Sequence, residues 1–221
     1  MDNQHVLNEQ QPQWEQAFAK NKDMFGEAPS EAAVRAAEIF KKHNQTHILE
    51  LGAGQGRDTL YFARQGFHVH VLDYTAEGTE RIIQKASEHG LSDRITVTQH
   101  DVRIPFPQLD ASMDGCYSHM LYCMALTTDE LQKLNAHIHK ILRPGGLNIY
   151  TARHIGDPHY GQGVYRGEDL YEVGGFIVHF FDRAKVKQLA EGYRIVDIHE
   201  LEEGGLPRRL FQVTLEKVDI K

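Results

Sequence analysis

The feature that most constrains the fold of this 221-residue chain is the stretch 50–56, which reads ELGAGQG. It follows the short apolar run 47–51 (HILEL) and precedes a helical pattern over about 57–65. Because glycine lacks a Cβ, alternate glycines let the backbone turn sharply and approach a ligand closely. The stretch therefore predicts a strand, a glycine-rich turn and a helix, and the turn is either a ligand site or a plain tight turn.

The glycine spacing and its flanking residues argue against two kinds of nucleotide site. A dinucleotide fingerprint needs Gly-x-Gly-x-x-Gly, and Arg57 stands at its third glycine position. No Lys-Ser or Lys-Thr pair follows, so the turn is not a phosphate-cradling P-loop. Glu50 directly precedes the turn, where a carboxylate repels pyrophosphate and suits a cationic ligand.

Strands and helices alternate along most of the chain. Strands are predicted over 47–51, 67–73, 94–101, 111–119, 147–152, 193–201 and 208–217. Such alternation favours a parallel sheet with helices on both faces. We therefore predict an α/β fold with a doubly wound, seven-stranded, mostly parallel sheet, whose ligands bind at the carboxyl ends of the strands.

Acidic residues end the second and third predicted strands. Asp73, followed by Tyr74, can accept hydrogen bonds from both hydroxyls of a ribose. Asp101 can accept from an adenine amino group, and the neighbouring Val102 N–H can donate to the ring. Each acid alone could instead form a helix cap or a turn. Together, and in this order, they indicate a ribosyl adenine that carries an amino-acid tail and no phosphate.

On these residues the chain resembles the class I S-adenosylmethionine-dependent methyltransferases, closely over about 45–152 and more loosely over 180–217. The stretch 142–146 (LRPGG) is typical of that family. Residues 54–66 (GQGRDTLYFARQG) and 24–30 (MFGEAPS) are most similar to its tellurite-resistance and thiopurine methyltransferase branch. The resemblance implies the Rossmann-like methyltransferase fold, with S-adenosylmethionine as cofactor and S-adenosylhomocysteine as product.

The same resemblance implies which residues hold the cofactor. The glycines line its methionine part, Asp73 holds the ribose, and Asp101 with Val102 recognises adenine. The full predicted set is Glu50, Gly52, Ala53, Gly54, Gly56, Asp73, Tyr74, Asp101, Val102, Ser118 and Phe25.

Residues after the fourth predicted strand are candidates for catalysis, because the family places the transferred methyl there. His119 and Tyr122 are the predicted catalytic residues. A histidine can act as a base near neutral pH, although a hydrogen-bonded structural histidine is the alternative. Cys116 and Cys123 lie in apolar runs, where a buried structural cysteine is the commoner case.

These observations predict methyl transfer to a small acceptor, namely a thiol, an amine or a metalloid oxyanion as the resembled branch suggests. A non-catalytic S-adenosylmethionine-binding protein is one alternative, and a methyltransferase acting on protein or tRNA is another. The net charge of -7, from 24 basic and 31 acidic residues, opposes an extensive nucleic-acid surface. Residues 118–121 (SHML) also differ from the Asn/Asp-Pro-Pro-aromatic motif that the DNA amino-methyltransferases carry there.

Composition bounds the remaining partners. No apolar run of about 18 residues occurs, so we predict no membrane span. The polar N-terminus and the use of only two cysteines predict a cytoplasmic protein. No His-x-x-x-His pair with an acid is present, so we predict no metal site. The sequence does not indicate an oligomeric state.

Two segments fall outside the predicted sheet. We divide the chain into an N-terminal helical lid over 1–44 and the methyltransferase domain over 45–221, with a cap insertion at about 153–181. The cap reads as a long irregular segment, which is usually functional in a compact domain. We predict that residues 12–26 and 153–181 close over the ligands with their aromatic side chains facing inward: Trp14, Phe18, Phe25, Tyr160, Tyr165, Tyr171, Phe176 and His179. A surface loop with a short edge strand is the alternative.

Overall fold

The computed structural model describes residue 7, residues 9–204 and residues 208–218. In these ranges the chain forms strands β1 (His47–Leu51), β2 (His68–Asp73), β3 (Ile95–Gln99), β4 (Met113–Ser118), β5 (Leu142–Arg153), β6 (Val164–Gly167), β7 (Leu170–Val173), β8 (Phe176–His179), β9 (Tyr193–Glu203) and β10 (Arg208–Lys217). The helices are α1 (Gln10–Lys20), α2 (Glu31–Lys42), α3 (Arg57–Arg64), α4 (Ala76–Glu88), α5 (Thr128–Ile141) and α6 (Arg183–Leu189). In the part of the chain that is described, no helix combines the length and the apolar character needed to cross a membrane.

Seven strands form one sheet in the order β3-β2-β1-β4-β5-β10-β9. The first five are parallel, and β10 runs antiparallel to both β5 and β9. The predicted doubly wound, seven-stranded, mostly parallel sheet is thus confirmed. The strand order reverses between β1 and β4, which is where an open α/β sheet leaves a crevice for a ligand.

Each face of the sheet has its own hydrophobic core. Along β1 the side chains alternate, so Leu49 and Leu51 pack on one face and Ile48 on the other. Helices α5 and α6 cover the first face, and α2, α3 and α4 cover the second. Helix α2, which falls within the predicted lid, contributes Phe40 to this core.

Strand β5 begins five residues earlier than the predicted strand at 147–152. Its early part pairs Met113 of β4 with Leu142, and the next pair joins Gly115 to Leu147. The extra residues between these pairs form a bulge around Gly145, whose φ is +72°. The Pro-Gly-Gly sequence therefore bends a strand that continues, instead of ending one.

The predicted irregular cap is ordered as a small antiparallel sheet, with β6, β7 and β8 in that order. The turn between β7 and β8 is Gly174-Gly175, with φ of +59° and +85°. Two successive positive φ values are what a tight two-residue hairpin requires, and Gly-Gly supplies them without strain. This dipeptide between LYEV and FIVH was the sequence signal for the hairpin, and the prediction of an irregular segment missed it.

Helix α1 is tied to both neighbouring parts of the domain. The Gln10 side chain donates to Gly175 O at 3.1 Å and accepts from Ile177 N at 3.1 Å, which fixes α1 to the small sheet. The Glu15 carboxylate accepts from Ala76 N at 2.6 Å and caps the first turn of α4. Residues 1–6 and 8 of the predicted lid, and residues 205–207 and 219–221 of the predicted domain, lie outside the described residues.

We expect the replacement Gly78→Ala to destabilise the protein by roughly 1–3 kcal/mol, the usual cost of overpacking. Gly78 lies in α4, and a Cβ there would lie 2.6 Å from Gly54 O and also collide with Thr75 Oγ1. In an exposed helix the same change would stabilise by about 1 kcal/mol, so the sign of the effect is diagnostic. Urea unfolding measures it.

The matched control is Ser87→Ala, on the exposed side of the same helix. It should leave stability unchanged or slightly higher, because alanine has the better helix propensity. A stabilised Gly78→Ala protein would show that α4 does not press against the glycine turn.

Candidate active site

A cavity of about 370 Å³ lies at the carboxyl edge of the sheet. Its walls come from the ends of β1 and β2 and the segments that follow β1, β2, β3 and β4, from the adjoining ends of β5, β9 and β10, and from α1 and β8 above them. Two groups of residues in its lining bear on what it can bind. We call them the turn group (Glu50, Gly52, Ala53, Gly54, Asp73, Tyr74, Asp101 and Val102) and the arginine group (Arg57, His119, Arg153, Glu203 and Arg208).

Asp73 holds the glycine turn in place. Its Oδ2 accepts from Gly54 N at 2.8 Å, and its Oδ1 accepts from Thr75 N and Thr75 Oγ1 at 2.9 and 2.6 Å. Gly54 has φ +56°, a conformation that other residues adopt with strain. An ionised carboxylate has about four acceptor positions. Three are occupied, so Asp73 offers the cavity one further hydrogen bond, on Oδ2.

Glu50 is buried beneath the turn, and its Oε2 makes no hydrogen bond with any described residue. Burial, together with the nearby charges of Asp58 and Asp73, raises the pKa of Glu50 to about 8. A buried acceptor without a partner is costly, so its position on the cavity wall suits a cationic or donating ligand group.

Asp101 lies on the cavity wall, and Arg103 binds its carboxylate. Asp101 Oδ2 accepts from Arg103 Nη2 at 2.6 Å, and Oδ1 accepts from the Arg103 backbone N–H at 3.0 Å. Burial alone would raise the pKa of Asp101, but these bonds and the charge of Arg103 lower it. An adenine ring bound there would share the Asp101 carboxylate with Arg103. The sequence analysis did not include Arg103 among the site residues.

Within the arginine group, Glu203 joins His119 to Arg57. Glu203 Oε2 lies 2.8 Å from His119 Nε2, and Oε1 accepts from Arg57 Nη2 at 2.7 Å. Burial opposes ionisation of Glu203, yet the bonds and charges of His119 and Arg57 lower its pKa to about 2. The other ring nitrogen of His119 lies 3.1 Å from Thr151 Oγ1. The ring thus has a hydrogen-bond partner at one nitrogen and a carboxylate in contact with the other, which restricts its orientation.

Three predicted site residues do not reach the cavity. Tyr122 is fully buried and stacks on Tyr150 with ring centroids 3.8 Å apart, while its hydroxyl bonds to Asn135. Ser118 is fully buried in β4, and Gly56 begins α3 against Ile82. We therefore assign no catalytic role to Tyr122, and we expect no direct contact between a ligand and Ser118 or Gly56.

The two cysteines are free and buried. Burial raises the pKa of the Cys123 thiol to about 11, and that of Cys116 still further. Neither thiol is a ready nucleophile, because it is the thiolate that reacts. Across the described ranges, no group of three His, Cys, Asp or Glu side chains is arranged to hold a metal ion.

Aromatic residues from the two predicted lid segments meet over the cavity. Trp14 contacts Phe176 with ring centroids 4.8 Å apart, and Phe18 lies 5.6 Å from Trp14. Phe25 lies beside Gly54 and under the Arg57 guanidinium, 5.8 Å from its ring centroid. These four rings line the cavity, so α1, the loop after it and β8 form its roof.

The other predicted inward-facing aromatics lie elsewhere. Tyr160 and Tyr171 pack on Phe180 outside the cavity, and Tyr165 is 60% exposed. His179 is fully buried and bonds to Leu126 O at 2.7 Å. The small sheet therefore contributes its last strand to the roof. The other aromatic side chains of this region are either exposed or packed away from the cavity.

Comparison with known proteins indicates the kind of protein in which such a cavity occurs. Residues 48–146, which contain the turn group and the fourth strand, match the family model described as a methyltransferase domain. This match supports the predicted class of enzyme and its predicted cofactor.

The methyltransferase domain has both curated and structural relatives. The chain is 28% identical over 131 residues to malonyl-[acyl-carrier protein] O-methyltransferase of Pectobacterium atrosepticum, covering 58% of this chain and 47% of that protein. It thus spans about half the length of this relative.

Two solved structures share the fold at low sequence identity. One is the 1,6-didemethyltoxoflavin-N1-methyltransferase of Burkholderia thailandensis with S-adenosylhomocysteine bound, at TM-score 0.69, 20% identity and coverage of 95% and 87% of the two chains. The other is TehB from Haemophilus influenzae, at TM-score 0.66, 18% identity and coverage of 93% and 67%.

Glu50 should make the stability of this domain depend on pH. Its pKa is about 8 in the folded chain against an ordinary value of 4.5. Between these values the folded chain holds a proton that the unfolded chain has lost, so the free energy of unfolding falls as the pH rises. The slope is about 1.4 kcal/mol per pH unit. We expect Glu50→Gln to abolish this contribution of residue 50 to the pH dependence of the free energy of unfolding.

Urea unfolding of both proteins over a series of pH values tests the expectation. The variant should gain stability relative to the native protein as the pH rises through this window. The comparison cancels the titration of all other groups. Parallel curves for the two proteins would show that Glu50 is not held neutral in the folded chain.

Proposed function

We propose that this chain transfers a methyl group from S-adenosylmethionine to a small-molecule acceptor. The observation that carries the proposal is the single cavity, lined on one side by the turn group and on another by the arginine group, under an aromatic roof. Such a space brings a cofactor and a second molecule together and excludes water, which methyl transfer requires. A flat, open face would favour a protein or tRNA acceptor instead.

The turn group fits the cofactor. When bound, S-adenosylmethionine supplies a methyl group on a positively charged sulfur. Glu50 presents an acceptor without a partner to its cationic amino-acid part, and Asp73 accepts from a ribose hydroxyl. The Asp101 carboxylate and the Val102 backbone recognise adenine, while Tyr74, Ala53 and Phe25 enclose it.

The arginine group positions the acceptor and supplies little basic strength. Thr151 Oγ1 accepts from Met120 N at 2.8 Å, so its own hydrogen is available to His119 Nδ1. His119 Nε2 then carries a hydrogen that faces Glu203. With a pKa of about 2, Glu203 is a weak base. The site therefore suits an acceptor atom with a lone pair available near neutral pH, such as an oxyanion or an amine that is unprotonated at that pH, better than an un-ionised thiol.

The finer assignments remain proposals. Membership of the tellurite-resistance and thiopurine methyltransferase branch is supported by 54–66, which spans the end of the turn and α3, and by 24–30, in the loop before α2. The predicted cytoplasmic location and the division of the chain at residue 44 stay predictions. At such low sequence identities, the structural relatives do not indicate which acceptor this chain methylates.

Cofactor binding is the first test. We expect S-adenosylhomocysteine to bind and NAD not to bind in isothermal titration calorimetry. Asp73→Ala should weaken S-adenosylhomocysteine binding by roughly 1.5–3 kcal/mol, because it removes hydrogen bonds to a charged group. Asp93→Ala, at an exposed acid outside the cavity, is the matched control and should bind as the native protein does.

An unchanged affinity in Asp73→Ala would remove the ribose role from this residue, and tighter binding of NAD would overturn the cofactor assignment. The acceptor is then sought with a panel of amines, thiols and oxyanions and a labelled methyl donor, following release of S-adenosylhomocysteine. Cofactor binding without turnover of any acceptor class would favour the non-catalytic alternative.

Hydrogen exchange tests the roof. Because Trp14, Phe18 and Phe176 line the cavity, we expect S-adenosylhomocysteine to slow amide exchange in α1 and β8. Strand β6 is the internal control, since its exposed Val164 and Tyr165 lie outside the cavity. Protection of the glycine turn without protection of α1 or β8 would show that the roof does not respond to the cofactor.

A further inference from the structure

The arginine group carries an excess of positive charge. Three arginines, Arg57, Arg153 and Arg208, line the cavity there, against the two carboxylates of Glu203 and Asp58, the second of which lies 3.8 Å from Arg57 Nε. In a largely apolar cavity a net charge of this kind favours a ligand of opposite sign, because water screens it less than at the surface.

Two of these arginines have partners. Arg57 donates to Glu203 Oε1 at 2.7 Å. Arg153 pairs with the buried Asp157 through Nε at 3.0 Å and Nη2 at 2.5 Å, and its guanidinium lies over the Phe180 ring. Their charges are thus largely balanced within the protein.

Arg208 differs from both. Among the residues that the structure describes, it forms no ion pair and no side-chain hydrogen bond. It stands directly across from Glu203 in the pairing of β9 and β10, yet His119 and Arg57 occupy that carboxylate. Its half-buried guanidinium is a donor set that the fold leaves for something else.

The register places Arg208 beside Arg153. In β10, Arg208 and Leu210 point to the same side, and Leu210 pairs with Arg153 of β5. The charges of both arginines also act on the buried thiol of Cys123, where they oppose the rise in pKa that burial causes. The two guanidinium groups therefore face one region of the cavity.

We infer that the acceptor is an anion and that Arg208 binds its carboxylate. The inference rests on the proposed function and names the acceptor class of that same site. Arginine presents a planar pair of donors that matches a carboxylate. One unpaired guanidinium balances a monoanion, whereas a phosphate dianion would leave a negative charge near Glu203 and Asp157.

Apolar residues define the rest of this acceptor. Met120, Met124 and Leu126 line the cavity from below, and Trp14 and Phe176 line it from above. The acceptor is therefore a carboxylate attached to a hydrophobic or aromatic body, with the atom to be methylated directed toward the cofactor.

The test uses the full chain saturated with S-adenosylhomocysteine and three ligands of similar shape: phenylacetate, phenylacetamide and 2-phenylethylamine. Trp14 is the single tryptophan and lines the cavity, so its fluorescence reports binding. We expect phenylacetate to bind more tightly than both other ligands, by about tenfold or more over the neutral amide, as one charge-assisted hydrogen-bonded pair implies.

Arg208→Gln should lose this preference, and Arg208→Lys should retain part of it through its charge. Arg209→Gln is the matched control, because Arg209 is the next residue, is exposed and pairs with Glu202 outside the cavity. It should bind phenylacetate as the native protein does. If Arg208→Gln does not fold, the relative affinities of the three ligands for the native protein and for Arg208→Lys still test whether the site prefers an anion.

Equal binding of phenylacetate and phenylacetamide, a preference for the amine, or no binding of phenylacetate would each overturn the anionic acceptor. These outcomes leave the proposed function standing if S-adenosylhomocysteine itself binds. Failure of S-adenosylhomocysteine to bind the native protein would contradict the proposed function, and the acceptor inference would fall with it.

Discussion

The hydrogen bond from Gly54 N to the carboxylate of Asp73 is the contact on which the site depends. It joins the end of β2 to the turn after β1, and β1 is one of the two strands between which the fold opens its crevice. The same carboxylate holds Thr75, the residue before α4, so one side chain sets the turn, the next helix and the cavity floor together. Its desolvation is offset by three donors, which is why a buried acid is tolerable there.

The cavity combines two electrostatic environments. In the turn group, acids are buried and the carboxyl of Glu50 is kept neutral by burial. In the arginine group, cations outnumber the carboxylate, and Glu203 is strongly ionised because His119 and Arg57 surround it. A cofactor and an acceptor of different charge would therefore bind at different ends of one cavity. This favours the arrangement with the cofactor at the turn group over the opposite arrangement.

Local sequence patterns predicted the sheet and the turn group, because a strand end and the residues after it are neighbours in the chain as well as in space. They failed where the chain reverses. After Ser118 the backbone passes through Met120 at φ +60°, so His119 faces the cavity while Tyr122 returns to the core beside Tyr150. Glu203 and Glu15 lie far in sequence from the residues they contact, and the spacing of residues along the chain does not predict such contacts.

Helix α1 has 11 residues, and a helix of that length is marginal on its own in water. Its partners are Tyr74 O, the first turn of α4 and the strand that begins at Phe176, and these follow it by roughly 60 to 170 residues. During synthesis α1 therefore emerges early and has nothing to dock on until most of the chain has followed. The sheet and its floor can assemble first, and the roof of the cavity is the last part to close.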